Sequence, residues 1–269
     1  MRFGFRKMHG AGNDFVVIDH REPFLPADSR AFLERLCDRR RGIGADGVLL
    51  LERSDEFDFK MRYFNSDGGL ADFCGNGARC IARFALSLGL GSDGEVRFET
   101  GAGIKSAVPR PGGLIALHFG FVASGAHVAV DACGRTFQGR HIVAGVPHLV
   151  LPVEGLSAIP FSTWSPPLRA HESLGAAGAN VDYVERRADG RVAMRTWERG
   201  VEGETLACGS GAIATAIWAL EEGGLAAPVT VRTAGGDDLV IEAAAVQSGH
   251  DVVLVGPAVT VCTGEWLES

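Results

Sequence analysis

Residues 74–86 read CGNGARCIARFAL, and residues 208–220 read CGSGAIATAIWAL. The cysteine, both glycines, three alanines and the closing leucine recur in register. The echo extends upstream at a shift of 133 residues. GNDFVVI from Gly12 falls on GVPHLVL from Gly145, DGVLLLE ending at Glu52 on NVDYVE ending at Glu185, and MRYFN from Met61 on MRTWE from Met194. One extra residue then enters the second copy and brings the two cysteine motifs into line. Chance supplies scattered matches but not ordered segments with a single slip, so the chain is read as a duplication.

Each copy carries one apolar helix. Ile81, Phe84, Ala85 and Leu88 keep the i, i+3, i+4, i+7 spacing, as do Ile213, Ala216, Ile217 and Leu220. The first helix is expected from just after Cys74 to about Leu88, ending at Gly89, and the second from just after Cys208 to about Glu222. No charge lies between Gly209 and Leu220, which predicts burial on nearly every side. Short apolar runs around these helices predict strands at Arg2–Lys7, Val16–Ile18, Gly47–Leu51, Phe57–Phe64, His141–Ala144, Leu149–Val153, Val181–Val184 and Val192–Trp197. A further helix is expected in DSRAFLERLCDRR, capped by Asp28 or Ser29, with Phe32, Leu33, Leu36 and Cys37 on its apolar face. Pro160, Pro166 and Pro167 read as a surface excursion. The expected fold is α+β, with two homologous, pseudo-symmetric halves at 1–120 and 121–262 and a C-terminal segment at 263–269.

The 269 residues, 46% hydrophobic and 22% charged, are ordinary for a globular protein. A formal net charge of −7 argues against nucleic acid, whose phosphates reward a basic surface. The opening MRFGFRKMHG lacks the apolar core of a signal peptide, and no stretch reaches the roughly 20 apolar residues of a membrane helix. A cytoplasmic location with reduced thiols is the expectation, and a disulfide framework is not.

The six cysteines at 37, 74, 80, 133, 208 and 262 have no paired rhythm. Cys80 recurs as Ala214, and positions six apart on a helix point roughly 240° apart, so Cys74 and Cys80 cannot share a metal. Cys80 reads as core and no metal site is expected. Cys74 and Cys208 each open a helix and precede Gly-x-Gly. Free backbone N–H groups at such a terminus stabilise an anion, whether a thiolate or a substrate carboxylate. A pseudo-two-fold relation would bring two acid–base thiols together around one carboxylate, which suits inversion at the carbon beside it. Lys7, Lys60 and Lys105 are the only lysines, and none lies in a recognisable pyridoxal-phosphate context, so no cofactor is expected.

KMHGAGNDFVVID, GIGADGVLL, FNSDG, CGNGARC, GANVDYVE and WERGVEGETLACGSGA, in that order, resemble the successive signatures of the diaminopimelate epimerase family. The resemblance implies a pyridoxal-independent enzyme interconverting LL- and meso-diaminopimelate in lysine and peptidoglycan precursor synthesis. It also implies two barrel-like halves, with the C-terminal strand returning to the first, and a homodimer. Carried over by position, Cys74 and Cys208 would be the acid–base pair. Gly75, Asn76, Gly209 and Ser210 would hold the reacting carboxylate. Asn13, Asn65, Asn180, Glu198 and Arg199 would line the pocket, and His148 would lie near the cysteines. Plainer readings stand beside these: Asn13 and Asn65 as turn residues, Arg199 and Glu198 as a surface pair, and His148 as a structural strand residue.

Two departures bear on the far end of the substrate. GVPH has Val146 where the family pattern has Asn, and GGLADFC has Leu70 where Glu is expected. The nearest rival is therefore a two-cysteine racemase acting on another amino acid, such as histidine or a proline-like acid. A cysteine hydrolase with His148 as base would leave one cysteine motif idle, and a non-catalytic binder would need neither thiol. GAGNDF lacks the third glycine of a dinucleotide loop.

Overall fold

The structure, a computed structural model, describes residues 2–26 and 29–267. The chain divides into two compact units, one of Met1–Phe119 with Val255–Ser269 and one of Gly120–Leu254. In the first unit the elements are β1 (Arg2–Gly10), β2 (Asn13–Asp19), α1 (Arg30–Cys37), β3 (Gly47–Glu52), β4 (Phe59–Asn65), β5 (Leu70–Ala71), α2 (Gly75–Ser87), β6 (Val96–Thr100) and β7 (Gly103–Arg110). Strand β8 (Leu114–Ala123) carries the chain across the boundary. The second unit holds β9 (Ala126–Ala132), β10 (Arg135–Ala144), β11 (Val146–Pro152), α3 (Phe161–Arg169), β12 (Asn180–Arg186), β13 (Val192–Glu198), β14 (Gly203–Thr205), α4 (Gly209–Glu221), β15 (Val229–Arg232) and β16 (Asp238–Val246). Strand β17 (Gly249–Pro257) leads back, and β18 (Val259–Leu267) belongs to the first unit.

Pairing repeats with the sequence. In the first unit β1–β2 is antiparallel, β2–β3 parallel, β3–β4 antiparallel, β4–β6 parallel and β6–β7 antiparallel. The second unit has β10–β11, β11–β12, β12–β13, β13–β15 and β15–β16 in the same senses. The mixed sheet bends round its helix, so that α2 touches β1, β2, β3, β4, β6 and β7, while α4 touches β10, β11, β12, β13, β15 and β16. Each unit is thus a barrel-like mixed sheet around a central apolar helix, and the fold is α+β.

Sheets covered on both faces need unbroken apolar strands rather than alternating ones. FVVI and VLLL supply them. Phe15, Val17, Leu49 and Leu51 point into the core with α2, and Val16, Ile18, Val48 and Leu50 point into the core with Leu33, Leu36 and Cys37 of α1. In the second unit Leu149, Leu151, Val181 and Tyr183 pack with Phe161 and Leu168 of α3. Helix α4 is buried at Gly209 and from Gly211 through Ala219. Each fully buried isoleucine there, Ile213 and Ile217, contributes about 1.5–3 kcal/mol.

Three expectations need correction. The prolines lie at the surface but not in an irregular excursion: Pro160 caps α3, and Pro166 and Pro167 lie inside it. The helix survives because both are exposed, while Phe161, Ser165 and Leu168 form its buried face. Of the i−4 carbonyls that they leave without a helical donor, that of exposed Ser162 faces water and that of Thr163 accepts from Cys133 Sγ at 3.7 Å. The boundary at 262 falls inside β18, which pairs continuously along β1 from His9↔Val259 to Arg2↔Leu267 with one bulge. Return to the first unit comes at Val255, because Ala258 is already in the α2 core. Of the two expected α1 caps, Ser29 is at the N-cap but makes no side-chain cap bond, and Asp28 lies outside the described residues.

Candidate active site

In the first unit the β1–β2 hairpin turns at Ala11 and Gly12, both with positive φ (54° and 86°), a combination suited to a two-residue loop with right-handed strand twist. The turn delivers Asn13 to the head of α2. Cys74 is the N-cap there, in extended conformation (φ −143°, ψ 118°), and its carbonyl accepts the first intrahelical bond from Ala78. The half-buried Sγ lies 3.6 Å from Asn13 Oδ1, which also accepts from Asn76 Nδ2 at 3.3 Å. Asn13 Nδ2 donates to Asp46 Oδ2 at 2.7 Å, which fixes the amide with its oxygen toward the thiol. Asp46 is anchored by Arg39, which also forks onto Asp14. Burial alone would raise the Asp14 pKa, but hydrogen bonds from Arg39 and Lys7 hold it far below the usual range. Arg79, fully buried on α2, donates to Asn76 Oδ1 at 2.9 Å and to the Gly75 carbonyl at 3.3 Å. Gly10 is required where it stands: a Cβ would sit 2.8 Å from the Asn76 carbonyl oxygen.

The second unit repeats the placement with different chemistry. Cys208 is the N-cap of α4 (φ −119°, ψ 111°), and its sulfur accepts from Gly211 N at 3.4 Å. Ser210 Oγ lies 3.4 Å from that sulfur and 3.0 Å from His148 Nε2. His148 Nδ1 meets Asp182 Oδ2 at 2.6 Å, and Thr196 Oγ1 donates to Asp182 Oδ1 at 2.6 Å. Asn180 Nδ2 is 3.4 Å from His148 Nε2, while its Oδ1 accepts the Arg199 N–H at 2.8 Å. His148 and Asp182 are wholly buried, and Cys208 is 5% exposed. Burial pushes the Cys208 thiol pKa well up, the negative charges of Glu198 and Asp182 push the same way, and the Ser210 and Gly211 bonds oppose them. The free second unit therefore keeps Cys208 protonated.

Asn13, Asn76 and Cys74 come together in one unit, and Asn180, His148, Ser210 and Cys208 in the other. Gly75 and Gly209 are the first helical residues. Asn65 ends β4 and is exposed, outside the bonded cluster. Glu198 ends β13, and its charge reaches Cys208. Arg199 follows, half-buried; among the described residues its guanidinium has no hydrogen-bond or ion-pair partner, so it is no surface pair with Glu198. Val146 begins β11 and Leu70 is 64% exposed. Cys80 is fully buried, and burial lifts its thiol pKa to about 12. All six cysteines are free, and among the described residues no cluster of three His, Cys, Asp or Glu is set for a metal ion. No helix of the described residues is long and apolar enough to cross a membrane.

Three supporting residues escape a reading of the motifs: Asp46, Asp182 and Thr196. Asp182 had a signal, since it stands between Val181 and the Tyr183–Val184 pair in the middle of a strand, and buried carboxylates are paired.

One α+β unit used twice, with a cysteine at the N-cap position of the buried helix in each copy, defines a class of duplicated two-cysteine proteins. The profile of the diaminopimelate epimerase family matches residues 5–118 and 141–261. The chain is 41% identical over 247 residues to a diaminopimelate epimerase of Gemmatimonas aurantiaca, covering 88% of this chain and 87% of that one. It is 38% identical over 275 residues to one of Aquifex aeolicus, covering 98% of both. A crystal structure of a Bacillus anthracis phenazine biosynthesis protein of the PhzF family shares the fold, with a TM-score of 0.75, 14% identity and full coverage of both chains. The chain belongs to the diaminopimelate epimerase family.

Proposed function

We propose that the protein is a cofactor-independent epimerase that interconverts LL- and meso-diaminopimelate by two-base proton transfer at Cα. The observation that carries this reading is the cysteine N-cap followed by Gly-x-Gly at the head of the buried helix in both units. Inversion requires a base on one face of Cα and an acid on the other. Cys74 and Cys208 take these roles and exchange them when the reaction runs backward. A Cα proton is weakly acidic, and the carbanion left by its removal needs fixed donors rather than mobile water. The N–H groups of Gly75, Asn76, Gly209 and Ser210 are the donors assigned to the carboxylate, where helix dipoles favour negative charge. Cys208, protonated in the free protein, suits the donor role in one direction.

Diaminopimelate carries a second amino-acid head, and Arg199 is assigned to that head's carboxylate. A guanidinium without a partner among the described residues can bind it bidentately. Asn13, Asn65 and Asn180 are assigned to the remaining polar groups, with Glu198 for a cationic one. Arg199→Ala is expected to lower kcat/KM by roughly 10- to 100-fold, mainly through KM, the cost of one or two charge-assisted hydrogen bonds. Steady-state kinetics checks this, and an unchanged KM would remove Arg199 from the pocket. The reading carries with it a role in lysine and peptidoglycan precursor synthesis, a cytoplasmic location and a homodimer.

The deciding experiment incubates reduced protein with LL-diaminopimelate in heavy water and follows configuration and deuterium at both α-carbons. Conversion to the meso isomer with solvent deuterium at the inverted centre is expected. Inertness toward diaminopimelate, with exchange into another amino acid, would transfer the mechanism to a different substrate.

A further inference from the structure

The duplication is broken at four matched positions beneath the cysteines. Under Cys74 they hold Phe15, Leu49, Tyr63 and Asn76; under Cys208 they hold His148, Asp182, Thr196 and Ser210. The glycine after each cysteine motif registers the change. A Cβ on Gly77 would meet Leu49 Cδ2 at 3.1 Å and Phe15 Cζ at 3.4 Å, whereas one on Gly211 would meet Asp182 Oδ1 at 2.7 Å. The helix start in the first unit therefore packs on hydrocarbon at Gly77, and its copy packs on a buried carboxylate at Gly211.

We propose that Asp182 is a positioning residue for Cys208: it holds His148 with the proton on Nδ1, so that the Ser210 hydroxyl can turn its one proton either to His148 Nε2 or to the Cys208 sulfur. Both Asp182 oxygens are committed, one to His148 and one to Thr196, and a carboxylate only accepts, so the imidazole must donate from Nδ1. Nε2 is then an acceptor. While Cys208 carries its proton, Ser210 Oγ–H donates to Nε2 across 3.0 Å, and the thiol donates to Oγ across 3.4 Å. Once Cys208 has given its proton away, the hydroxyl rotates and donates to the thiolate, beside the Gly211 N–H. Nε2 keeps a donor in that state, because Asn180 Nδ2 lies 3.4 Å away and the Arg199 N–H on Asn180 Oδ1 fixes the amide that way round. No atom is transferred within the chain; only one hydroxyl turns. The device gives Cys208 a matched partner in each protonation state, which Phe15 and Leu49 cannot offer Cys74.

The inference rests on Cys208 being an acid–base thiol, and both readouts below are made without substrate, so failure of the epimerase reaction would leave them standing. In 15N-histidine-labelled protein, long-range 1H–15N correlations should show His148 protonated at Nδ1 and bare at Nε2, the signal being identified by its loss in His148→Gln. A proton on Nε2 would overturn the proposal, and this measurement needs no Asp182 variant to fold. In a Cys74→Ala background, the rate of iodoacetamide alkylation at Cys208 is followed at fixed pH by mass spectrometry. Asp182→Asn lets an amide donate to Nδ1, moves the ring proton to Nε2 and locks the Ser210 proton on sulfur. Alkylation should accelerate about tenfold, the equivalent of one hydrogen bond to a charged atom. With Ser210→Ala also present, the effect of Asp182→Asn should fall to about twofold, the residue of its lost charge. An equal acceleration with and without Ser210, or none in a variant whose circular dichroism is native, would reduce Asp182 to a plain charge or a structural group.

Discussion

Cys74→Ala and Cys208→Ala are each expected to lower the rate of diaminopimelate epimerisation about 10³-fold or more, within the range that a positioned acid or base contributes. Neither loss should be covered by a neighbour. The Cys74 thiol bonds to the amide of Asn13, which is itself tied to the Asn76 amide, and neither amide carries a transferable proton near neutral pH. Around Cys208 the bonded groups are Ser210 and the Gly211 N–H, a poor acid and a poorer one. Each variant should nevertheless bind substrate, because the helix-terminal N–H groups remain. Cys80→Ala is the control: that thiol is buried in the core beside Ile81 and Phe84, so it should keep full activity and lose only packing. Stereochemical assay in heavy water separates the three. Full activity in either N-cap variant would contradict the two-base reading, and a dead Cys80→Ala would point to damage to the fold.

Gly211→Ala should leave the protein about 1.5–3 kcal/mol less stable than Gly77→Ala, at the matching position, which should itself stay within about 1 kcal/mol of the starting protein. Alanine is worth up to about 1 kcal/mol over glycine inside a helix, and that gain is common to both. At Gly77 the new methyl presses on the end of a leucine, which gives by a few tenths of an ångström. At Gly211 it presses on Asp182 Oδ1, held in a buried site by Thr196 at 2.6 Å and through its other oxygen by His148. Relief requires loss of a charge-assisted bond, about 1.5–3 kcal/mol, or overpacking of similar cost. Urea denaturation of the two variants measures the contrast. Activity should follow it, with Gly211→Ala impaired even where it is folded. Equal effects at both glycines would mean that Asp182 is freer to move than its bonds indicate.

The duplication was the most legible feature, because a repeated cysteine, two repeated glycines and one apolar stripe fall together in α2 and again in α4. Strands buried on both faces were legible as runs such as VLLL, though their ends were not: β1 continues to Gly10 because His9 and Gly10 still pair with Asp14 and Asn13. The third helix was hidden by Pro166 and Pro167, whose weight in a reading of breakers outran the apolar spacing of Phe161, Trp164 and Leu168. The side chains bonded to the cysteines were legible only where a motif held them. Asp182 and Thr196 lie in strands remote in sequence from CGSGA, and only packing of β12 and β13 against α4 brings them beneath it. Asp46 was hidden for the opposite reason, since GIGADGVLL reads as a turn in which Asp is unremarkable.

Strand β18 completes the first unit although it follows the whole of the second in the chain. On the ribosome the second unit, continuous from Gly120 to Leu254, has all its strands before the first does. The amino-terminal portion must wait with the β1 edge open until the partner for that edge is made, so folding order runs against synthesis order. A nascent chain stalled short of Val259 would hold Cys208 in a finished setting and Cys74 in an unfinished one. An activity that needs both cysteines in finished settings has to wait until β18 has been made.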